Sequence, residues 1–260
     1  MIEQDNLRFW EEQASKYKTD VAAVNFDTQE ENLEFHFLKN LLKNNKKICD
    51  FGCGNGRTIF NMIENGIQSE FHGVDITKGM INIANKKVKE LNLKNTFFYN
   101  ASATSKDIES LFDFKFDIVM SKRLLINIKG NNKYKAVNNI YNILDDNGLY
   151  IMIESFLEPL NKINHIREKL DLTKINVHHF NEYLDEKFLD SIKDKFIIEK
   201  IIDFESLYYF ISRTFNAILS NGEPEYNSKI NQIAVEITKN SNINFSGYSP
   251  QVMYILKKVT

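Results

Sequence analysis

The sequence of 260 residues has few of the features that mark disulfide-bonded or zinc-binding proteins. Its two cysteines, Cys49 and Cys53, are too few and too close together for a disulfide framework, and no second pair stands ready to complete a zinc site. Only three prolines occur, and no glycine- or serine-rich linker divides the chain. We therefore expect two reduced thiols, no bound metal and one continuous core.

Excess charge of either sign and long apolar runs are also missing. Lysine and arginine number 33 against 35 aspartate and glutamate, so no domain-wide basic surface predicts a nucleic-acid or anionic-membrane partner. No apolar run approaches the roughly 20 residues of a membrane helix, and the amino terminus lacks the basic and apolar regions of a signal peptide. We expect a cytoplasmic protein without a membrane or nucleic-acid partner.

What the sequence does contain is the composition of a folded domain and a regular alternation of two kinds of segment. Hydrophobic residues make up 43% and charged residues 26%, which is typical of a chain with a sizeable core. Apolar strand-like runs alternate with helical ones, which predicts an α/β fold with a mostly parallel sheet and helices on both faces. The predicted strands are residues 46–51, 70–75, 95–100, 115–121, 148–155, 195–204 and 251–258.

Helical segments flank and interrupt this core. The predicted helices are residues 9–17, 32–42, 58–65, 80–91, 133–144, 157–189, 206–219 and 226–238, with a short one near Ile108. We therefore expect a helical cap at residues 1–46, a core at 47–155, a helical insertion at 156–194 and the rest of the core at 195–260. A second helical insertion is expected at about 205–245, and the two insertions are predicted to form a lid.

A glycine-rich loop follows the first predicted strand in the segment ICDFGCGNGRTI, residues 48–59. Gly52, Gly54 and Gly56 allow a sharp turn with positive φ and a close approach of the backbone to a ligand. A dinucleotide fingerprint would have its third glycine where Arg57 stands, so a nicotinamide-dependent dehydrogenase is disfavoured. Asp75 ends the next strand, where a carboxylate can accept hydrogen bonds from both ribose hydroxyls. Together these features predict an adenosine-containing ligand.

The segments DFGCGNGR, GVDIT, YNASA and FDIVMSKRLLINI resemble the class I S-adenosylmethionine-dependent methyltransferase family over residues 47–154. The resemblance implies a Rossmann-like sheet of seven strands with one antiparallel strand, and S-adenosylmethionine as cofactor. It implies that Asp50 and the three glycines hold the methionyl part, Asp75 the ribose and Ile76 the adenine. Trp10 and Tyr17 could close over the sulfonium through their electron-rich faces. The full predicted cofactor set is Trp10, Tyr17, Asp50, Gly52, Gly54, Gly56, Asp75, Ile76, Met80, Asn100, Ala101, Ser102 and Ser121.

A narrower resemblance, to bacterial methyltransferases of nucleotide-sugar and surface-polysaccharide modification, rests on FWEEQASKY, KRLLINI, IESFLEPLNKINHIREKL, HHFNEYLDE and SLYYFISRTFNA. It implies an acceptor pocket beyond the carboxyl ends of the strands. Arginine is rare in this lysine-rich chain, so Arg123, Arg167 and Arg213 are predicted to converge on one anionic group of the acceptor, because lysine lacks their bidentate geometry. The alternative for each arginine is a buried structural ion pair. The predicted acceptor-binding residues are Arg123, Asn127, His165, Arg167, Asn181, Tyr208, Tyr209 and Arg213.

The predicted reaction is methyl transfer to a small polar molecule, most naturally at oxygen, in surface-polysaccharide biosynthesis. The acceptor is expected to be phosphorylated, nucleotide-linked or a sugar. A general base is optional because positioning supplies most of the rate, and His178, His179 or Glu154 is predicted to take this role. A nitrogen acceptor and a catalytically silent cofactor-binding subunit remain alternatives. A nucleic-acid methyltransferase is disfavoured, because no Asn-Pro-Pro-aromatic run occurs.

Overall fold

The computed structural model describes residues 2–17, 27–240 and 243–259, with side chains from residue 7 onward except residue 17. Seven strands form the sheet: β1 Lys47–Phe51, β2 Glu70–Asp75, β3 Thr96–Asn100, β4 Phe116–Lys122, β5 Leu144–Ser155, β6 Phe196–Ile202 and β7 Gln251–Lys258. The helices are α1 Ile2–Tyr17, α2 Thr28–Lys39, α3 Arg57–Glu64, α4 Lys78–Glu90, α5 Asn132–Ile143, α6 Leu157–Lys169, α7 Glu186–Ser191, α8 Ser206–Ile211, α9 Ala217–Leu219 and α10 Lys229–Asn240.

The strands are ordered β3-β2-β1-β4-β5-β7-β6. β7 is antiparallel to both β5 and β6, and the other pairings are parallel. The prediction of seven strands with one antiparallel is therefore confirmed. The strand order reverses between β1 and β4, and in open sheets of this kind ligands bind beyond the carboxyl ends of the strands at such a point.

Two apolar clusters cover the two faces of the sheet. One joins Val119 and Tyr150 to α5 and the last strands, and the other joins Ile48 and Phe71 to α2 and α3. The central strands are buried on both faces, which explains why their sequences read as continuous apolar runs. Within the described residues, every helix is too short or too polar to cross a bilayer.

The prediction of one helix over residues 157–189 is wrong for residues 170–185, which are not helical. α6 ends at Lys169, and α7 does not begin until Glu186. Asp171 adopts a left-handed conformation with φ +54°, and the Leu172 N–H donates to the Arg167 carbonyl at 2.9 Å, which closes the helix end as a left-handed cap does. Residues 170–185 consequently run as an irregular segment back to the ends of the strands. Whether the insertions act as a lid stays a prediction.

Candidate cofactor and acceptor site

A cavity of about 390 Å³ opens at the carboxyl ends of β1, β2 and β4, with α1 as one wall. This size lies within the range of small-molecule sites. A shallower hollow of about 610 Å³ lies at the opposite, amino ends of the strands and contains none of the predicted site residues. Thirteen of the predicted residues line the first cavity: Trp10, Asp50, Gly52, Gly54, Asp75, Ile76, Met80, Ala101, Ser102, Arg123, Asn127, His178 and Asn181.

The glycine loop is held under the end of β2. The Gly52 N–H donates to the Val74 carbonyl at 2.7 Å, and φ is +85° at Gly52 and +77° at Gly56. A Cβ at Gly52 would lie 2.9 Å from the Leu124 side chain, and one at Gly56 would lie 2.5 Å from the Phe98 ring. Gly52 therefore keeps the cavity floor open, whereas Gly56 lets the start of α3 pack on β3 from below.

Asp75 joins the glycine loop to the start of α4. Its Oδ2 accepts from the Gly54 N–H at 2.9 Å and its Oδ1 from the Thr77 N–H at 2.7 Å. Burial raises the pKa of Asp75, and the two backbone hydrogen bonds oppose that rise. The Thr77 side chain also hydrogen-bonds to this carboxylate, and the remaining acceptor capacity of the two oxygens is open to a ribose hydroxyl.

Asn100 supports this corner of the cavity without lining it. Its Nδ2 donates to the carbonyls of Asp75 and Ile76, at 3.0 and 2.8 Å. The next residues, Ala101 and Ser102, do face the cavity. Asn100 thus fixes the backbone beside the predicted adenine site.

Asp50 is a buried carboxyl at the end of β1. Burial raises its pKa to about 7, and the nearby Lys122 opposes that shift. A buried carboxyl in this state gains most from a cationic ligand group, because a cation compensates the cost of its ionisation. The ammonium of a methionyl group would meet that need.

Two cationic side chains stand at the carboxyl end of β4, on its last residue and the next, and one carboxylate from α2 faces both. Lys122 Nζ lies 2.8 Å from Glu34 Oε1, whereas Arg123 Nη1 lies 3.9 Å from Glu34 Oε2, beyond hydrogen-bond distance. Among the described residues, no hydrogen-bond acceptor engages the Arg123 guanidinium. Arg123 has φ +51°, an uncommon value for a residue with a side chain, and its N–H donates to the Ile153 carbonyl at 2.9 Å.

Asn127 and Asn181 form a hydrogen-bonded chain that starts at Arg123. The Arg123 carbonyl can only accept, so the group 2.6 Å from it must be the Nδ2 of Asn127. Oδ1 of Asn127 then accepts from Nδ2 of Asn181 at 3.1 Å. The chain therefore has one direction, and it leaves the Oδ1 of Asn181 as a hydrogen-bond acceptor at the cavity wall.

Glu154, predicted as a base, is fully buried and does not line the cavity. Its carboxylate accepts from the N–H groups of Leu124, Leu125 and Ile126 at 3.0, 2.9 and 3.2 Å, and burial raises its pKa to about 7. Ser121, predicted near the cofactor, is likewise buried and shares a 2.7 Å hydrogen bond with Tyr150. Glu154 thus shapes the turn after β4 and does not reach a ligand.

The predicted convergence of three arginines is not seen. Arg213 is buried in an ion pair with Asp27 at 2.9 Å, and Tyr208 donates to the same carboxylate at 2.8 Å. Arg167 is buried too, and its guanidinium donates to the carbonyls of Thr173 and Arg213. Tyr209 stacks on Arg213, with 4.6 Å from the guanidinium to the ring centre. Arg167 and Arg213 therefore link the helical segments to one another and to Asp27, and of the three predicted arginines Arg123 alone lines the cavity.

The predicted histidines differ in their positions. His178 lines the cavity and packs on Phe180, with 3.8 Å between ring centres. Desolvation is the main cause that lowers the pKa of His178, and the neighbouring His179 adds to it. All three histidines are exposed, and His179 and His165 lie outside the cavity lining. The side chain of Tyr17 lies outside the described residues. Among those described, no cluster of three or more metal-ligating side chains occurs.

Sequence reasoning missed Phe9, Phe180, Glu11 and Glu34. The rings of Phe9 and Phe180 lie 4.8 Å apart, and both line the cavity. Their only signal was an aromatic residue beside a predicted site residue. Glu11 and Glu34 had no recognisable signal in the sequence, because their contacts are with residues of other elements that only the fold brings near.

Comparison with known proteins places this geometry in context. Residues 42–244 match a family described as "Methyltransferase domain". Carboxy-S-adenosyl-L-methionine synthase of Campylobacter lari is 25% identical over 135 residues, covering 52% of this chain and 55% of that protein. The same synthase of Nautilia profundicola is 26% identical over 149 residues, covering 55% and 59%. The chain thus spans about half the length of these curated relatives.

Solved structures show the same fold at low sequence identity. Geranyl diphosphate C-methyltransferase from Streptomyces coelicolor A3(2), in complex with Mg²⁺, geranyl diphosphate and S-adenosyl-L-homocysteine, has a TM-score of 0.62 at 14% identity, covering 99% of this chain and 98% of that one. Magnesium protoporphyrin IX methyltransferase from Synechocystis PCC 6803 has a TM-score of 0.55 at 12% identity, covering 97% and 94%.

Proposed function

This chain belongs to the methyltransferase-domain family and has the class I S-adenosylmethionine-dependent fold predicted from its sequence, and from this we propose that it transfers a methyl group from S-adenosylmethionine to a small, polar, anionic acceptor. The sulfonium of that cofactor supplies an already activated methyl group, so the protein has mainly to bind, orient and exclude water.

The residues of the cavity fit this cofactor. Asp75 would receive the ribose hydroxyls, and Gly52 and Gly54 keep the floor free of side chains where the methionyl part would lie. Asp50 would meet the ammonium group, whose charge stabilises the ionised carboxyl. Ile76 and Met80 offer apolar contact to the adenine.

The observation that carries the acceptor class is the guanidinium of Arg123 at the cavity wall. Among the described residues it has no hydrogen-bond acceptor, and its ion-pair partner Glu34 lies 3.9 Å away and is shared with Lys122. A planar guanidinium binds a carboxylate or phosphate through two parallel hydrogen bonds. A phosphorylated or nucleotide-linked sugar of surface-polysaccharide biosynthesis has the anionic group that would bind the Arg123 guanidinium.

The atom that is methylated would be an oxygen bearing a proton. The Oδ1 of Asn181 can accept a hydrogen bond from a hydroxyl and so orient its lone pair, and an amine would be held in the same way. An amide is no base, so the proton would pass to His178, whose lowered pKa keeps the imidazole neutral near pH 7, or to water.

The test is methyl transfer itself. Purified protein is incubated with isotopically labelled S-adenosylmethionine and a panel of sugar phosphates, nucleotide sugars and their uncharged parent sugars, and labelled products are identified by mass spectrometry. Label on an oxygen of an anionic member, lost in Arg123→Ala, is expected. Label only on uncharged members would contradict the acceptor class, and label on carbon would contradict the role given to Asn181.

A further inference from the structure

Helix α1 forms a wall of the cavity that touches both its halves. Trp10 lines the cavity and packs against Met80 of α4, on the predicted adenosine side. Phe9 lines it too and contacts Phe180, on the predicted acceptor side. The position of α1 therefore decides how closed the cavity is.

The contact that fixes α1 is a carboxylate placed at the start of α4. α4 begins at Lys78, and its N-cap residue Thr77 makes no side-chain hydrogen bond to the first turn. The N–H groups of a first turn have no partner within their own helix. Glu11 of α1 supplies one, since its Oε2 accepts from the Gly79 N–H at 3.2 Å. A negative charge at this end of a helix is also favoured by the helix dipole.

Gly79 makes this approach possible. A Cβ there would lie 2.6 Å from Glu11 Oε2 and 3.1 Å from the Cβ of Ala14, so α1 rests on backbone that carries no side chain. Glycine inside a helix is disfavoured by about 1 kcal/mol relative to alanine. An alanine at this position would therefore help α4 alone and displace the Glu11 carboxylate.

We propose that Glu11 is a positioning residue, whose carboxylate docks α1 onto α4 and thereby keeps Trp10 over the bound cofactor. The inference rests on the proposed function, because the molecule held beneath Trp10 is S-adenosylmethionine or its demethylated product. Glu11 itself is not part of the cavity lining. Its contact with α4 reaches the cofactor through α1, and loss of the contact speeds cofactor release. The negative charge of Glu11 also helps to raise the pKa of Asp75, and Gly79→Ala, which keeps that charge, separates the two effects.

The sequence provides its own probe of this contact, because Trp10 is the only tryptophan. Its emission is recorded for the free protein and during rapid mixing with S-adenosylhomocysteine, in wild type, Glu11→Gln and Gly79→Ala. Glu12→Gln is the matched control: it makes the same change on the neighbouring residue, which is exposed and, among the described side chains, pairs with Arg8 at 3.1 Å. Melting temperatures are measured alongside.

We expect a red-shifted Trp10 emission and dissociation of S-adenosylhomocysteine about 3- to 10-fold faster in Glu11→Gln and Gly79→Ala, in line with a carboxylate at a helix start. Melting temperatures should stay near wild type, and the control should behave as wild type. Unchanged emission in Glu11→Gln, equal changes in the control, or a red shift without faster dissociation would overturn the inference.

Failure of the proposed function gives a different result. A wild-type protein that shows no response to S-adenosylhomocysteine would contradict the cofactor assignment. The emission of the ligand-free variants would still decide whether Glu11 docks α1.

Discussion

Glu34 and Lys122 form a largely buried ion pair, with 2.8 Å between Glu34 Oε1 and Lys122 Nζ, at the carboxyl end of β4. The other oxygen of Glu34 is buried and has no hydrogen-bond partner in the part of the chain that the structure describes, although Arg123 Nη1 lies 3.9 Å away. One carboxylate therefore faces two cations beside the cavity. Lys122 takes the nearer oxygen of that carboxylate, so among the described residues the hydrogen-bond donors of the Arg123 guanidinium stay open to a ligand.

Replacing this carboxylate tests its structural role. Glu34→Gln should lower the free energy of unfolding by about 1–3 kcal/mol, because it leaves Lys122 with a weaker partner in a site that water barely reaches. Urea titration gives the value. The matched control is Glu64→Gln, since Glu64 pairs with Lys87 at 3.3 Å on the surface and should change stability by less than about 0.5 kcal/mol. Equal losses would show that burial does not matter here.

Arg123 lines the cavity and Arg213 is buried in an ion pair, so substitutions at the two positions separate effects on ligand binding from effects on folding. Arg123→Lys should raise the KM for an anionic acceptor by about 10- to 100-fold and leave the melting temperature alone, since the lost bidentate geometry serves only the ligand. Arg213→Lys should lower the melting temperature and leave KM unchanged, because Arg213 pairs with the buried Asp27 and stacks on Tyr209. Steady-state kinetics and thermal unfolding on both variants check this, and the reverse pattern would exclude Arg123 as the anion site.

The raised pKa of Asp50 predicts how cofactor affinity depends on pH. Burial places this pKa near 7 in the free protein, so below pH 7 the carboxyl is mostly protonated and cannot pair with an ammonium. Affinity for S-adenosylhomocysteine should therefore rise by up to about tenfold per pH unit between pH 5.5 and 7 and level off above. Titration calorimetry across this range measures it. Asp50→Asn should bind weakly at every pH, and a persisting slope in that variant would assign the effect to another group.

Asn181 should affect turnover and not cofactor binding. Asn181→Ala removes the oxygen that the chain from Arg123 through Asn127 points at the cavity, and we expect kcat/KM to fall about 5- to 50-fold, the range for one or two lost hydrogen bonds. Affinity for S-adenosylhomocysteine should match wild type. A variant with normal kcat/KM would show that the acceptor does not contact this residue.

The sequence predicted the fold well because local patterns suffice for it. Apolar runs bounded by helices fixed the strand positions, and β2 and β7 begin and end where predicted. The glycine loop and Asp75 could be recognised because their chemistry depends on a few residues close in sequence. The irregular segment after Lys169 was missed, since a single left-handed residue, Asp171, ends the helix.

The acceptor side was predicted less well because it depends on contacts between distant segments. Arg123, Arg167 and Arg213 are equally rare residues in the sequence, but their surroundings differ in the fold. Arg213 pairs with Asp27, and Arg167 donates to backbone carbonyls. Glu154 was predicted as a base because it stands near the carboxyl end of a predicted strand. In the structure its carboxylate accepts from three N–H groups of the turn after β4. Glu11 and Glu34 contact residues that are far from them in sequence, so no local sequence spacing predicts these contacts.

Calorimetric titration of wild type and Asp75→Asn with S-adenosylhomocysteine and with NAD tests most directly whether the cavity binds S-adenosylmethionine. Both oxygens of Asp75 accept backbone N–H groups, and Asn has only one acceptor oxygen to serve those groups and a ribose hydroxyl, so the variant should lose about 1.5–3 kcal/mol of binding free energy for S-adenosylhomocysteine. NAD should give no saturable heat with either protein. Binding of NAD by the wild type, or equal affinity of both proteins for S-adenosylhomocysteine, would contradict the account.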